Sequence, residues 1–230
     1  PNVRVDQNLQ DEKGFNGDVG LRGKNGEKFN YDVNFFSVYY NKKIGSIQQI
    51  DSEFNIYRFK TNLSNSRSLG VESFVEVDIL KCINEHSDFG VSIFSNFTYT
   101  NAIYIKSQNK QLVRKKVEFA PDFVFRGGAG FKYKTFSFSW QISTISKQFT
   151  DATNATYAST SVIGIIPKYY VMDVTASYSY KFLKVSCSVN NLSNNKYFTR
   201  RAESYPGPGI IPSDGIGVFG TLAFKWSTKN

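Results

Sequence analysis

Arg200 and Arg201 stand side by side shortly before Tyr205, in a stretch spanning residues 199–215 that is rich in proline and glycine. A guanidinium binds a carboxylate through paired, charge-assisted hydrogen bonds. The two arginines and the tyrosine are therefore candidate ligand-binding residues for an anionic, carboxylate-bearing molecule. A structural role competes with that reading: either arginine holds the stretch to a neighbouring wall, paired with an acid such as Glu203 or Asp214. Pro206, Pro208 and Pro212 fix the backbone and remove donors. Gly207 and Gly209 permit turns that other residues resist. Such a loop is built to hold one shape, for recognition or for sealing.

The remaining chemistry-bearing residues point away from catalysis. Glu72, Glu76 and Asp78 stand at alternate positions, which lines them along one face of a strand; the acids need water, so that face is wet. His86 is the single histidine, lies in a turn and has no serine to activate. Cys82 and Cys187 are far apart and fall in different strand patterns, so both are expected to be unpaired and structural. No phosphate loop precedes a helix and no Cys/His spacing suits a metal. The chain reads as a non-enzyme without a cofactor.

The elements that must position these residues are strands. Of 230 residues, 40% are hydrophobic and 16% aromatic, with 21 Phe and 14 Tyr; aromatic residues favour pleated structure. Leu183, Val185, Cys187 and Val189 alternate with Lys184, Ser186, Ser188 and Asn190. Tyr170, Met172, Val174, Ala176 and Tyr178 alternate with Asp173, Thr175 and Ser177, and the spacing predicts the first set outward and the second inward. The same alternation appears at 15–22, 29–39, 71–80, 89–99, 136–143 and 218–226. The segment 119–133, with Pro121, Gly127 and Gly128, is expected to be bent or bulged. Residues 1–14 read as loop. About nine strands result, with short turns near 25, 84, 134 and 182 and longer connections near 52, 110, 158 and 207. Several strands exceed the usual length. Aromatics gather towards their ends, as at Tyr39-Tyr40 and Tyr169-Tyr170. These features together predict an all-β, antiparallel transmembrane β-barrel. The formal net charge of +9 suits solvated turns or attraction of anionic partners. There is no long Lys/Arg block of the kind that binds nucleic acid.

Asn190-Asn191-Leu192, then Lys196-Tyr197, a long loop and an alternating terminal strand resemble the C-terminus of TonB-dependent receptors. The loop from Tyr197-Phe198-Thr199-Arg200-Arg201-Ala202 through Tyr205 to Gly215 is similar to the ferric-citrate and siderophore branch. Asn62, a polar run and Gly70-Val71-Glu72 also resemble the family. The resemblance implies that residues 1–230 are the C-terminal part of a barrel of about twenty-two strands. The plug domain and the segment that contacts TonB would then lie upstream, outside this chain. It implies outer-membrane transport of a ferric chelate or similar scarce solute, energised through TonB. The implied partners are that chelate, outer-membrane lipid and lipopolysaccharide. A passive porin or structural barrel is the alternative. A barrel enzyme is a third, and His86 sits at the wrong end for it.

Overall fold

The computed structural model describes residues 2–84, 87–107, 109–157, 161–202 and 209–225. Nine strands form one antiparallel meander: β2 (Lys13–Asn25), β3 (Phe29–Ile50), β4 (Ile56–Asp78), β5 (Phe89–Lys106), β6 (Phe123–Tyr133), β7 (Phe136–Ile145), β10 (Tyr169–Tyr180), β11 (Leu183–Asn190) and β14 (Gly217–Phe224). Their order in the sheet is β14-β11-β10-β7-β6-β5-β4-β3-β2, so β2 and β14 are its two free edges among the described residues. The strand count agrees with the alternation in the sequence. A tenth, short strand of the same sheet, β1 (Asn2–Val5), pairs with β4 off this path, and β8 (Gln148–Phe149) with β9 (Ile165–Ile166) and β12 (Phe198–Ala202) with β13 (Gly209–Pro212) form two small separate sheets.

Residues opposite one another across antiparallel strands share a face. Register therefore carries each face across the sheet. Val19, Phe35, Val71 and Tyr99 follow one another on one face, and Phe131, Phe138, Ala176, Cys187 and Gly220 on the same face further along. The other face carries Asn34, Glu72 and Thr98, then Ser137, Ser177 and Ser186. Among the described residues no protein core packs against the apolar face. Val19 is 70% exposed, Val218 69% and Phe224 71%. Polar groups on the opposite face bond across strands. Asp173 accepts from Gln141 Nε2 at 3.0 Å, Thr175 meets Ser188 at 2.9 Å, and Ser137 meets Ser177 at 2.7 Å. Tyr170, Met172, Val174, Ala176 and Tyr178 thus share the apolar face, and Asp173, Thr175 and Ser177 the polar one.

Aromatics mark both ends of the apolar band. At the short-turn end Phe89 stacks on Tyr133 at 4.2 Å and Phe182 on Phe224 at 6.5 Å. Towards the other end Phe15 stacks on Tyr39, and Tyr99 pairs with Phe123. From Phe89 to Tyr99 the strand runs about 33 Å at 3.3 Å per residue. Tilted as barrel strands are, it covers roughly the 25 Å of a membrane's apolar band.

Several expectations need correction. Strand β6 begins at Phe123 and holds unbroken register with β5 and β7, so there is no bulge. Its glycines serve packing instead: a Cβ on Gly128 would meet Phe94 Cε1 at 2.6 Å, and one on Gly127 would meet Phe125 Cζ at 2.7 Å. Residues 2–5 are not loop. They add a parallel strand to β4, because Tyr57–Lys60 project past the start of its pairing with β5. Arg4 then bonds Asp51 at 2.8 Å and lies 4.2 Å over the Tyr57 ring. The wall strand β4 stops at Asp78, whose carboxylate accepts from Lys81 N at 2.9 Å and caps the helix α1 (Ile79–Ile83). Cys82 therefore sits on a helix rather than a strand; it and Cys187 are both free and exposed. His86 lies outside the described residues. No helix among them is long and apolar enough to cross a membrane.

Candidate functional site

The long connections gather at one end of the wall. Strands β3 and β4, with 22 and 23 residues, outrun their neighbours and project as a hairpin. Its tip is closed by Asp51, which accepts from the backbone N–H of Asn55 at 2.9 Å and of Glu53 at 3.1 Å. These bonds and Arg4 hold the half-buried Asp51 carboxyl below its ordinary value, the Asn55 bond contributing most. Leu63, Tyr104, Leu112 and Ala152 form a small buried cluster beneath the loops, with Ile47 and Val117 packed on it. The phenol of Tyr104, fully buried, donates to Glu118 Oε2 at 2.6 Å.

Asn191 anchors the base of the long loop after β11. It is 3% exposed. Its N–H donates to Asp173 Oδ1 at 2.9 Å, its Nδ2 to the carbonyls of Asn195 and Asp214, and its Oδ1 accepts from Asn195 N. Asn195 Nδ2 donates to the Tyr170 carbonyl at 2.8 Å, and Tyr169 stacks on Tyr197 at 4.6 Å. The Asn-Asn-Leu sequence thus ties both ends of the loop to β10. Asn191 and Asn194 adopt φ of 49° and 48°, a conformation that asparagine tolerates better than most residues.

Above that base, β12 and β13 form a hairpin, with Arg201 opposite Ile210. Arg201 turns into the neighbouring loop. Nη1 donates to the Ser161 carbonyl at 2.7 Å and Nη2 to that of Ile165 at 3.0 Å, while the guanidinium lies 5.4 Å over Phe198. Its Nε is buried with no partner among the described residues. Arg200 is exposed and has no charged partner among them. The sequence placed the two arginines together; the fold separates their surroundings. Tyr205 and Glu203 lie outside the described residues. Sequence reasoning missed the carbonyls that receive Arg201, because a backbone acceptor leaves no signature in residue type.

Further cations share this end. Lys110, Arg114 and Lys115 are exposed and unpaired among the described residues, whereas Lys116 pairs with Asp122 at 2.5 Å. A recess of about 470 Å³ lies here, lined by Asp6, Gln10, Lys42, Asn62 and Lys106. On the polar face of the wall a second recess, about 560 Å³, is lined by Asp18, Arg22, Asp32, Glu72 and Asn96. Glu72 therefore lines the hydrated side, as its alternation required. Among the described residues no group of acids, cysteines or histidines could hold a metal ion.

A two-faced antiparallel wall, aromatic at both edges of its apolar band and crowned by long loops, is the architecture of an outer-membrane barrel. The family profile for "TonB dependent receptor-like, beta-barrel" matches residues 1–192, so the chain belongs to the TonB-dependent receptor β-barrel family. That family is one of receptors and transporters rather than enzymes. No curated protein sequence matches the chain. Among solved structures it is similar to the unliganded ferric citrate transporter FecA, with a TM-score of 0.77, 20% identity, and cover of 94% of this chain and 31% of that one. The copper transporter OprC aligns at TM-score 0.70 and 14% identity, covering 95% and 32%. The siderophore receptor PiuA from Acinetobacter baumannii aligns at 0.68 and 17%, covering 93% and 28%. At these identities the likeness shows the fold. The chain spans about a third of the length of these proteins and forms part of a barrel.

Proposed function

We propose that this chain is part of the wall and mouth of an outer-membrane receptor that imports an anionic ferric chelate, a siderophore or ferric citrate, with energy passed through TonB. In that setting the apolar face meets lipid and lipopolysaccharide, the polar face lines the lumen, and the loop end opens outside the cell. The observation that carries the reading is the charge of that end. Arg200, Lys110, Arg114 and Lys115 are exposed without partners among the described residues, on loops anchored by Asn191 and by the buried Tyr104 cluster. A fixed set of cations draws anions by long-range attraction and loses little entropy on binding. Arg200 and Tyr205 are the proposed ligand contacts, with Arg201 beside them. FecA and PiuA, similar in fold, are described as a ferric citrate transporter and a siderophore receptor.

Equilibrium binding of ferric citrate to the purified full-length receptor at rising ionic strength tests this. The reading expects saturable binding that weakens steadily with salt. Binding indifferent to salt removes the cationic mouth from the account. Absence of any saturable site, together with free passage of small neutral solutes, favours a passive porin.

A further inference from the structure

We propose that Arg201 is a positioning residue: it clamps the loop 146–168 to the β12–β13 hairpin and so fixes Arg200 relative to the cations of the loop 107–122. The proposal rests on the anionic-chelate reading and divides the roles of the two arginines.

The clamp is built from both sides. Two parallel-reaching donors of Arg201 meet two carbonyls four residues apart, those of Ser161 and Ile165. Between them lies Gly164, buried, with φ of 151°. A Cβ there would come within 3.1 Å of Nη2 and 3.2 Å of Cζ of Arg201, so the guanidinium occupies the space that only a glycine leaves. Gly164 is gripped from behind by Thr150, 4% exposed. Its hydroxyl donates to the Gly164 carbonyl at 2.9 Å and accepts the Gly164 N–H at 3.0 Å.

The chain of anchors continues. Asp151, 3% exposed, accepts the N–H groups of Thr153 at 2.9 Å and Ala155 at 3.1 Å. Asn154 then reaches the next loop: its Oδ1 accepts from Lys116 N at 2.7 Å and its Nδ2 donates to the Lys116 carbonyl at 2.8 Å. Lys116 follows directly on Arg114 and Lys115. Three loops are thereby joined in one sequence of contacts, from the Arg200 hairpin through Gly164 and Asn154 to the Arg114-Lys115 segment. The pairing of β12 with β13 shifts register between Phe198 and Arg201, so an extra residue is accommodated beside Arg200. Arg201 faces the clamp, whereas Arg200 is exposed.

The experiment uses the full-length receptor with ferric citrate as probe and two readouts. Hydrogen exchange in peptides covering 161–166 reports the clamp without any ligand. Binding across a salt series reports whether a charge touches the anion. Arg201→Gln should speed exchange there by about tenfold. It should weaken ferric citrate binding while leaving the salt dependence of the affinity as in the parent. Arg200→Gln should leave exchange unchanged and flatten the salt dependence. Arg201→Lys, which keeps the charge but loses the planar fork, should behave like Arg201→Gln. Gly164→Ala should reproduce the loss, and adding Arg201→Gln to it should worsen nothing, because both remove one contact. Unchanged exchange in Arg201→Gln overturns the clamp. A flattened salt dependence in Arg201→Gln, matching Arg200→Gln, makes Arg201 a ligand contact and overturns its positioning role. If the parent receptor binds no ferric citrate, the chelate reading fails, and the exchange result still decides the clamp.

Discussion

Replacing Val174 by arginine asks which face of the wall meets lipid. Val174 lies opposite Trp140 on one side and Val189 on the other, within the apolar face. It stands midway between Tyr170 and Tyr178, the aromatics towards the two ends of β10. Four residues either way is about 13 Å of strand, or about 10 Å of depth at a tilt near 40°. That places the substituted guanidinium close to the bilayer midplane, where arginine costs about 2–4 kcal/mol. Thr175 is the control. It is the next residue, pairs with Ser139 and Ser188, and faces the hydrated side, so arginine there should cost no more than about 1 kcal/mol, the worth of its hydrogen bond to Ser188. The assay is equilibrium unfolding of the full-length receptor from lipid vesicles in guanidinium, read by tryptophan fluorescence and gel mobility. Comparable costs at the two positions, or a larger one at Thr175, would refute the assignment of faces.

Other outcomes follow from single contacts. Asn191→Ala removes a buried side chain that accepts one N–H and donates to two carbonyls. It should cost about 1–3 kcal/mol and open residues 191–216 to protease on intact cells, while β10 and β11 stay paired. Gly70→Ala would drive a methyl to 2.3 Å from both Phe36 Cζ and the Tyr99 carbonyl, so a loss of about 1–3 kcal/mol is expected in the same unfolding assay. The hairpin tip should respond to acid. Asp51 is held below its ordinary value of 3.8 in the folded state, so its contribution is present above that pH and is lost as pH falls through the lowered value. Hydrogen exchange at 51–55 should therefore be flat between pH 5 and 7, after correction for intrinsic rates, and rise only below about pH 4. A rise already complete at pH 5 would contradict it.

What could be read in the sequence was whatever repeats with the period of a strand. Val174 and Thr175 belong to opposite solvents, and that contrast recurs in every wall strand, so count, faces and loop ends were all legible. The Asn-Asn-Leu segment was legible only as a resemblance; its physical basis is the buried Asn191 amide. The clamp was not legible. Arg201 finds its acceptors on Ser161 and Ile165, distant in sequence and chosen by backbone position rather than side-chain type. The parallel pairing of Asn2–Val5 was hidden for a similar reason. Four residues give no period, and the edge they join exists only because β4 projects past the start of its pairing with β5. Gly127 and Gly128 suggested a bulge because glycine marks both bulges and close packing, and only the positions of Phe94 and Phe125 separate the two.

The energised uptake of an anionic ferric chelate proposed for the full-length receptor is tested most directly by accumulation of radioactive iron supplied as ferric citrate. Cells lacking other iron receptors would carry the full-length gene, with and without a functional TonB. Accumulation should be saturable, require both the receptor and TonB, and be reduced by Arg200→Gln at unchanged surface level. Equal accumulation with and without TonB, or none while the receptor sits in the outer membrane at normal level, would contradict the proposal.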